Sequence, residues 1–326
     1  MMEVFYDFGA NFSKKNVILT LGMFDGVHLA HRQIISECVL RAKATGKKSV
    51  FLTYEPHPQQ VIAQCSAAPF KLLTTIDEKL EMVEALGIDM SVVLTFTREL
   101  AAMTAEDFLQ NIRDFLLPSE IVVGYRTTFG KNREGNAETL QAFSTDHNIE
   151  FSLIAPIFSK EIVSSSSIRS ALCAGDIKSA NTMLGRAYAI TGQVTDGDKR
   201  GRTLGFKTAN IVPKSADKLV PADGVYACDV TVLGKVHRAV VNIGARPTFE
   251  RGFSIEAHIL DFSHDIYSEN ITLHFLNRLR GVKRFAGENA LIAAINSDIE
   301  TTRELNEKRQ KGIDNKAFTC YNYKAT

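Results

Sequence analysis

Two histidines three residues apart follow the first long apolar run of the chain. His28 and His31 lie in LTLGMFDGVHLAH, where a strand-like run ends in a turn and a helical pattern begins. The N–H groups of such a turn and the positive end of the helix dipole converge on one point, which favours an anion. The imidazoles could donate hydrogen bonds to phosphate oxygens as charge shifts towards a leaving pyrophosphate, so the spacing predicts phosphate chemistry. The turn residues assigned to nucleotide binding are Gly22, Phe24, Asp25 and Gly26.

Two other interpretations of this histidine pair stay open. An H-x-x-H pair could bind zinc with His57 as a third ligand, although the chain has no H-E-x-x-H motif. Histidines without a function are the usual interpretation of an isolated pair, and the turn with its glycines is the observation that disfavours it.

Two further segments combine hydroxyls, glycines and cations in a way that suits phosphate. SSSSIR at 164–169 precedes a helical pattern, and by itself it is typical of a loop with a helix N-cap. TDGDKRGRTLGFK at 195–207 could wrap a polyphosphate through Gly201, Arg202 and Gly205, but it is also typical of a solvated hairpin loop. It is not a P-loop, because no G-K-S or G-K-T follows.

Three side chains beyond that loop have the chemistry of a metal ligand or a base. Thr208 and Asn210 are two residues apart and share one face if the segment is extended. Their hydroxyl and amide oxygens are hard donors, suited to a Mg²⁺ ion that already carries phosphates. Glu256 lies in mid-strand in SIEAHILDF. A carboxylate there is ordinarily a solvated exterior charge and otherwise a candidate general base.

The elements that position the first group of residues alternate between strands and helices. The strand-like runs are NVILTLGMF, KKSVFLTY, MSVVLTF, EIVVG and IEFSLI, and amphipathic stretches separate them. Capping signals at 75–78 and 104–107 open two of the helices. Strict alternation predicts an α/β fold with a doubly wound parallel sheet and ligands at the carboxyl ends of its strands. We place this domain at residues 1–185.

The pattern changes after the helical segment LCAGDIKSANTMLGR. From Tyr188 to about Leu276, short strand-like runs separated by Gly, Pro and Asp turns predict a small antiparallel β-barrel. The last amphipathic stretch, GENALIAAINSDIETTRELNEK, predicts a C-terminal helix packed on that barrel. We place this second domain at residues 186–326.

Length and charge limit the classes of protein to which the chain can belong. Its 326 residues are enough for two domains whose cores need no disulfides. The 38 Lys and Arg residues balance 37 Asp and Glu residues, so no global basic field is available for nucleic acid. Five scattered cysteines without a C-x-x-C pair predict reduced thiols, and no apolar run approaches ~18 residues. We expect a cytoplasmic protein that is not exported and binds neither nucleic acid nor membrane.

Taken in chain order, the motifs resemble the prokaryotic bifunctional riboflavin kinase/FMN adenylyltransferase (FAD synthetase) family. The resemblance rests on GMFDGVHLAH, TYEPHP, SSSSIR and LGRAYAITGQVTDGDKRGRTLGFKTAN, and it runs over almost the whole chain. It implies a nucleotidylyltransferase-like first domain and a flavokinase-like barrel. The implied small molecules are ATP, riboflavin, FMN and FAD, with Mg²⁺ as the metal, and self-association is left open.

The resemblance also implies roles for individual residues. The phosphate-binding residues of the first domain would be His28, His31, Ser164, Ser165 and Arg169, with the two histidines and the arginine as catalytic groups. The flavin-binding residues would be Tyr54, Pro56, His57, Pro58, Tyr125, Arg126 and Phe129. The Mg-ATP residues of the barrel would be Gly201, Arg202, Gly205, Thr208 and Asn210, of which the last two bind the metal. Glu256 would be the general base aimed at the riboflavin 5′-hydroxyl.

The main departures of the chain from the family pattern are at three positions of the first domain. Ala30 replaces the glycine of H-x-G-H, and Arg126 and Thr127 replace the Asp-Phe pair of G-x-D-F-x-F-G. A reversed charge and a lost aromatic ring in one pocket are expected to weaken FMN binding. The Arg126 guanidinium must point away, pair with an acidic neighbour such as Glu134, or bind an incoming phosphate.

These departures leave two alternatives to a bifunctional enzyme. The first is a monofunctional riboflavin kinase whose N-terminal domain is structural or regulatory. The second is a non-catalytic sensor that binds flavin or nucleotide, which would not need to retain a base such as Glu256.

Overall fold

The computed structural model of the chain describes residues 1–7, 16–62, 69–158, 162–196, 206–245 and 253–311. The chain divides into two compact units, Met1–Ser165 and Ser166–Thr326. The helical segment between the last parallel strand and the barrel falls in the second unit, where the backbone N–H of Ala222 donates to Leu172 O. The functional boundary near residue 185 stays a prediction. None of the helices in the described ranges is both long and apolar enough to cross a membrane.

The first unit is a parallel sheet of six strands with helices between them. Its strands are β1 (Glu3–Tyr6), β2 (Val17–Leu21), β3 (Lys48–Glu55), β4 (Met90–Thr95), β5 (Pro118–Gly124) and β6 (Glu150–Ile154). Its helices are α1 (Leu29–Thr45), α2 (Pro58–Ile62), α3 (Ile76–Ala85), α4 (Arg98–Ala102), α5 (Ala105–Leu116) and α6 (Ala137–Asp146). A short 3₁₀ turn covers Lys131–Arg133.

The order of the strands identifies the edge where a ligand would bind. The sheet runs β1-β4-β3-β2-β5-β6, and its neighbouring strands pair in parallel. The chain moves outwards from β2 through β3 and β4 on one side and through β5 and β6 on the other. The order therefore reverses between β2 and β5, and loops at the carboxyl ends of such strands form a ligand crevice. The predicted doubly wound parallel sheet is confirmed.

Two apolar cores cover the faces of this sheet. Ile35 of α1 and Val83 of α3 belong to the core on one face. Leu109 of α5 and Leu140 of α6 belong to the core on the other face. All five residues of β2 are buried, because helices cover both faces of a central parallel strand.

The strand β1 was not among the predicted elements. It has four residues, pairs with β4 and lies at the edge of the sheet. Its Tyr6 side chain is 64% exposed. An edge strand of this kind lacks the continuous apolar run that marks a central strand, so its sequence carries a weak signal.

The second unit contains a closed six-stranded barrel in the order β10-β11-β8-β7-β12-β9. Its strands are β7 (Tyr188–Thr195), β8 (Ala209–Pro213), β9 (Gly224–Val232), β10 (Lys235–Ala245), β11 (Phe253–Ile259) and β12 (Asn270–Arg280). Its helices are α7 (Ser165–Ala174), α8 (Ile177–Leu184) and α9 (Glu288–Lys311). Every strand pairing in the barrel is antiparallel, and α9 packs on β9 and β10. The predicted barrel and C-terminal helix are confirmed.

Candidate active sites

The residues 22–28 after β2 form a tight turn, here called the phosphate turn. Phe24, Gly26 and Val27 have φ angles of 48°, 86° and 36°. Left-handed backbone favours glycine, so Gly26 suits its position, whereas Phe24 and Val27 adopt it under strain. Both of these side chains are buried, and their packing holds the strained backbone in place. Strain of this kind is typical of functional sites.

The Asp25 carboxylate anchors the phosphate turn to the loop ahead of α3. Buried among its partners, it accepts hydrogen bonds from the backbone N–H groups of Leu73 and Thr74 at 3.0–3.2 Å. The Thr74 hydroxyl donates to the same carboxylate at 3.2 Å and accepts the Gly26 N–H at 3.0 Å. Asp25 and Gly26 therefore hold the shape of the turn, and a direct contact of either with nucleotide stays a prediction.

His28 and His31 stack at the N-terminus of α1. His28 is the N-cap residue, and its Nδ1 accepts the backbone N–H of His31 at 3.3 Å. An Nδ1 that accepts places the proton of the neutral ring on Nε2, the tautomer that donates from that nitrogen. The two ring centroids are 3.5 Å apart, and the Phe24 ring meets His31 edge-on at 5.1 Å. The pair is thus held where the helix dipole favours an anion.

The hydroxyl-rich segment reaches the phosphate turn. Ser165 Oγ donates to the backbone carbonyl of Asp25 at 2.8 Å. Ser164, just before α7, is half-buried. Arg169 follows Ser165 by one turn of α7 and is also half-buried. The Ser165 contact joins two segments that are far apart in the sequence and that both carry predicted phosphate ligands.

Two of the predicted flavin-binding aromatic residues lie in the core. Tyr54, near the end of β3, is 8% exposed and meets Phe96 edge-on with 5.8 Å between ring centroids. Burial raises the pKa of its phenol well above the usual range. Phe129 is 6% exposed and packs against Phe108 at 5.7 Å. Because both rings are buried, each offers little surface to a flavin.

The rest of the TYEPHP motif connects the end of β3 to the first residue of α2. Pro56 is exposed, and Pro58 is the first residue of the helix. The buried His57 ring lies 4.3 Å from the Phe70 ring, and its Nδ1 accepts the Gln59 N–H at 3.1 Å. Among the residues that the structure describes, no three His, Cys, Asp or Glu side chains lie together in a group that could hold a metal. The zinc alternative therefore gains no support from the geometry.

Arg126, after β5, lies at the surface. Its guanidinium carbon is 5.4 Å from the centroid of the Tyr125 ring, a cation–π contact. Glu134, the acidic neighbour considered for it, instead accepts the Ala105 N–H at the N-terminus of α5 at 2.8 Å. The exposed position of Arg126 agrees with the first of the three expected outcomes, in which the guanidinium points away.

A buried lysine that the sequence analysis did not single out lies beside the phosphate turn. Lys79 of α3 is 3% exposed, and its Nζ donates to Thr53 Oγ1 at 3.1 Å. Burial lowers its pKa from 10.5 to about 8, against the attraction of the Asp25 and Glu55 carboxylates. The signal that could have found it is its helical spacing from the apolar Val83.

Three polar side chains form a row across neighbouring strands of the barrel, here called the barrel row. Glu256 in β11 is the register partner of Asn242 in β10 and of Asn210 in β8. Ile255 and Ala257 on either side of Glu256 are buried, so Glu256 lies on the outer face of the strand. The predicted base and a predicted metal ligand are therefore direct neighbours in the sheet.

His258, two residues beyond Glu256, holds the segment that leads into β8. Its Nδ1 lies 2.8 Å from the Lys207 carbonyl, and its ring meets Phe206 edge-on at 5.6 Å. A carbonyl only accepts, so Nδ1 donates in this bond. Thr208, which follows Lys207, is half-buried. The predicted Mg-ATP residues Gly201, Arg202 and Gly205 lie outside the described residues.

Comparisons with known proteins match both halves of the chain. A model of FAD synthetase matches residues 11–168, and a model of riboflavin kinase matches residues 184–306. The chain is 35% identical to a bifunctional riboflavin kinase/FMN adenylyltransferase of Listeria monocytogenes, over 88% of this chain and 92% of that protein. It is 34% identical to the protein of the same name from Bacillus subtilis, over 86% of this chain and 90% of that protein.

A solved structure gives a further match. It is described as a macrolide-efflux protein from Streptococcus pneumoniae, and it superposes with a TM-score of 0.84 at 28% identity. The match covers 93% of this chain and 99% of that one.

Proposed function

The chain belongs to the bifunctional riboflavin kinase/FMN adenylyltransferase family, and we propose that its two reactions take place at the phosphate turn and at the barrel row. The protein phosphorylates riboflavin to FMN and adenylylates FMN to FAD. The monofunctional kinase and the sensor are therefore not retained. We assign adenylylation to residues 1–185 and phosphorylation to residues 186–326.

Adenylylation requires the FMN phosphate to attack the α-phosphate of ATP and release pyrophosphate. An anionic phosphate needs no general base, so donors and cations that stabilise the transferring phosphoryl group are sufficient. His28 and His31 would act as donors at the N-terminus of α1, and Arg169 would add a cation. The observation that supports this site is the Ser165 contact with Asp25, which joins the two phosphate-binding segments at the switch point of the sheet.

Phosphorylation requires a base, because the riboflavin 5′-hydroxyl is neutral. In the proposed step its oxygen attacks the γ-phosphate of ATP, its proton passes to the Glu256 carboxylate, and ADP leaves. Asn210 and Asn242 flank Glu256 in the barrel row. Their amides can orient the carboxylate or the phosphates without competing for the proton, since an amide does not titrate.

The donor set beside Glu256 fits Mg²⁺. The Thr208 hydroxyl and the Asn210 amide oxygen are hard donors on one short segment, which is the chemistry that this ion prefers. Bound with ATP, the ion would neutralise charge on the phosphates.

A cytoplasmic location, where riboflavin and ATP are available as small-molecule substrates, completes the proposal. The free thiols of Cys38, Cys173 and Cys228 agree with this location.

The test is a product analysis of the purified chain. Incubation with riboflavin and Mg-ATP, followed by chromatography of the flavins, should give FMN first and FAD later. Glu256→Gln should no longer form FMN from riboflavin but should still convert added FMN to FAD. The matched control is Glu269→Gln, an exposed carboxylate before β12 that should behave like the wild type. Formation of FMN at the wild-type rate by Glu256→Gln would overturn the assignment of the kinase site.

A further inference from the structure

Lys79 is hydrogen-bonded to β3 and, through it, linked to the phosphate turn of the proposed adenylylation site. Its Nζ donates to Thr53 Oγ1 at 3.1 Å, and the Thr53 hydroxyl in turn donates to the Met23 carbonyl at 3.2 Å. Met23 belongs to the phosphate turn, and Thr53 lies in β3 as the first residue of TYEPHP. A single buried side chain of α3 is thus linked through one hydroxyl to the backbone of the turn.

Two carboxylates on different elements attract the same ammonium group. Asp25 belongs to the phosphate turn, and Glu55 is the last residue of β3. A buried ammonium without such partners is costly, and a cation shared by two carboxylates resists their separation. Their attraction for the Lys79 ammonium adds to the hydrogen-bonded link that runs from Lys79 through Thr53 to the backbone of the phosphate turn.

We propose that Lys79 is a positioning residue for FMN adenylylation, setting the phosphate turn and the TYEPHP loop at the spacing that the reaction requires. This proposal rests on the assignment of adenylylation to the phosphate turn. Lys79 acts through Thr53, Asp25 and Glu55 and does not itself touch substrate. In-line attack depends on the distance between two bound phosphates, and a misplacement of about 1 Å lowers a rate by about a hundredfold.

The experiment compares Lys79→Met with Lys79→Arg in the full chain. We expect Lys79→Met to raise KM for both FMN and ATP by about five- to tenfold and to lower kcat for FAD formation by about tenfold. Lys79→Arg keeps the cation and should recover most of the loss in both KM values. Riboflavin phosphorylation by the same molecules is the internal control, and it should stay within about twofold of the wild type.

A second pair of variants isolates the hydrogen-bonded link. Thr53→Val keeps the branched shape that the strand requires but removes the hydroxyl between Lys79 and Met23, so the KM for ATP should rise by about threefold. The matched control is Lys43→Met, at an exposed lysine in the last turn of α1. This control should leave both KM values unchanged.

Three outcomes would overturn the role of Lys79. The first is wild-type FAD synthesis by Lys79→Met. The second is that Lys79→Met lowers kcat but leaves KM unchanged, and that the fall in kcat equals the fraction of N-terminal domain that is unfolded. A residue that only stabilises the fold changes the amount of active enzyme and not its KM. If Lys79→Met does not fold, an unchanged KM for ATP in Thr53→Val is the third.

A separate double variant tests whether adenylylation takes place at the phosphate turn at all. His28→Ala combined with His31→Ala should abolish FAD formation from FMN if the phosphate turn is the site. If that double variant keeps FAD synthesis, the site itself is misassigned, whatever Lys79 does. If it loses FAD synthesis while Lys79→Met keeps normal kinetics, only the positioning role is wrong.

Discussion

The phosphate turn is built from buried groups, whereas the barrel row consists of half-buried and exposed side chains on an outer face. Asp25, Thr74 and His28 are all buried, yet Glu256 is half-buried and Asn242 is exposed. The reactions proposed for the two sites differ in their chemical requirements. Transfer to an anionic phosphate requires fixed donors, and burial fixes them. Transfer to a neutral alcohol requires a carboxylate that substrate can reach and that can accept a proton.

The two regions also differ in what holds them in place. Side chains from several elements bond to the phosphate turn, namely Thr74, Ser165 and Thr53, and Lys79 in turn donates to Thr53. The barrel row is positioned by the register of three strands, which depends on backbone hydrogen bonds. The turn should therefore be sensitive to substitutions that never touch substrate, and the row should be sensitive mainly at the reacting residue itself.

The largest expected effect is at the barrel row. Glu256→Gln should lower the rate of FMN formation by about 10²–10⁴, because the amide cannot accept the proton of the 5′-hydroxyl. Steady-state kinetics with riboflavin would measure it, and FAD formation from added FMN should be unaffected. Equal losses in both reactions would break the comparison, since the two sites would then not be independent.

At the phosphate turn, loss of the paired donors should be nearly as large. His28→Ala with His31→Ala should lower FAD formation by about 10²–10³, the usual cost of removing donors from a developing phosphate charge. Riboflavin phosphorylation, followed in the same preparation, should remain. A folded double variant that has lost kinase activity as well would show that the two units are coupled.

The contribution of Lys79 to the stability of the folded protein should depend on pH. Burial holds the pKa of Lys79 at about 8, below its ordinary 10.5, so the unfolded chain binds the proton more tightly. The cost of burying the charge is complete below pH 8 and disappears as the pH rises towards 10.5, and its full size is about 3 kcal/mol. The wild type should thus gain stability relative to Lys79→Met over that range.

Urea denaturation of both proteins at pH 7, 9 and 10 would measure this difference. The difference between the two free energies of unfolding should shift by about 2 kcal/mol in favour of the wild type between the first and the last pH. Other lysines titrate equally in both proteins and cancel. A difference that is constant with pH would mean that the Lys79 ammonium is not desolvated in the folded protein.

The smallest effect is expected at Arg126. Because its side chain is exposed and stacked on Tyr125, Arg126→Ala should change KM for FMN by less than about fivefold. The stronger test restores the family pair with Arg126→Asp and Thr127→Phe, followed by titration of FMN. A tenfold gain in FAD formation, or about 1.4 kcal/mol, would show that the departures at these positions weaken the site.

Periodicity was sufficient for most of the architecture. The strands of the sheet other than β1, five of the barrel strands and the C-terminal helix all carry regular patterns of apolar residues. The strand β8 is not marked by a strand-like run in the sequence, because five residues containing Asn210 and ending in Pro213 carry little strand signal. Its pairing with β11 nevertheless places Asn210 beside Glu256.

The packing of individual site residues was harder to predict than the strands and helices that carry them. Tyr54 and Phe129 match flavin-binding motifs, and both rings are buried in the core of the first unit, so their contact with flavin stays a prediction. Asp25 is predicted to bind the nucleotide, and in the structure its carboxylate also organises the turn. A motif records which residue type is present, whereas the direction of its side chain depends on neighbours that are distant in the chain.

The sequence alone determined the alternation of strands and helices, the change to a barrel and the residue types available for chemistry, because these depend on local patterns of polarity. Tertiary structure decided which residues meet. The contact between Ser165 and Asp25, the row through Asn210, Glu256 and Asn242, and the burial of Lys79 all depend on strand order and register. Those are settled by packing across the whole sheet or barrel, and no local stretch of sequence contains them.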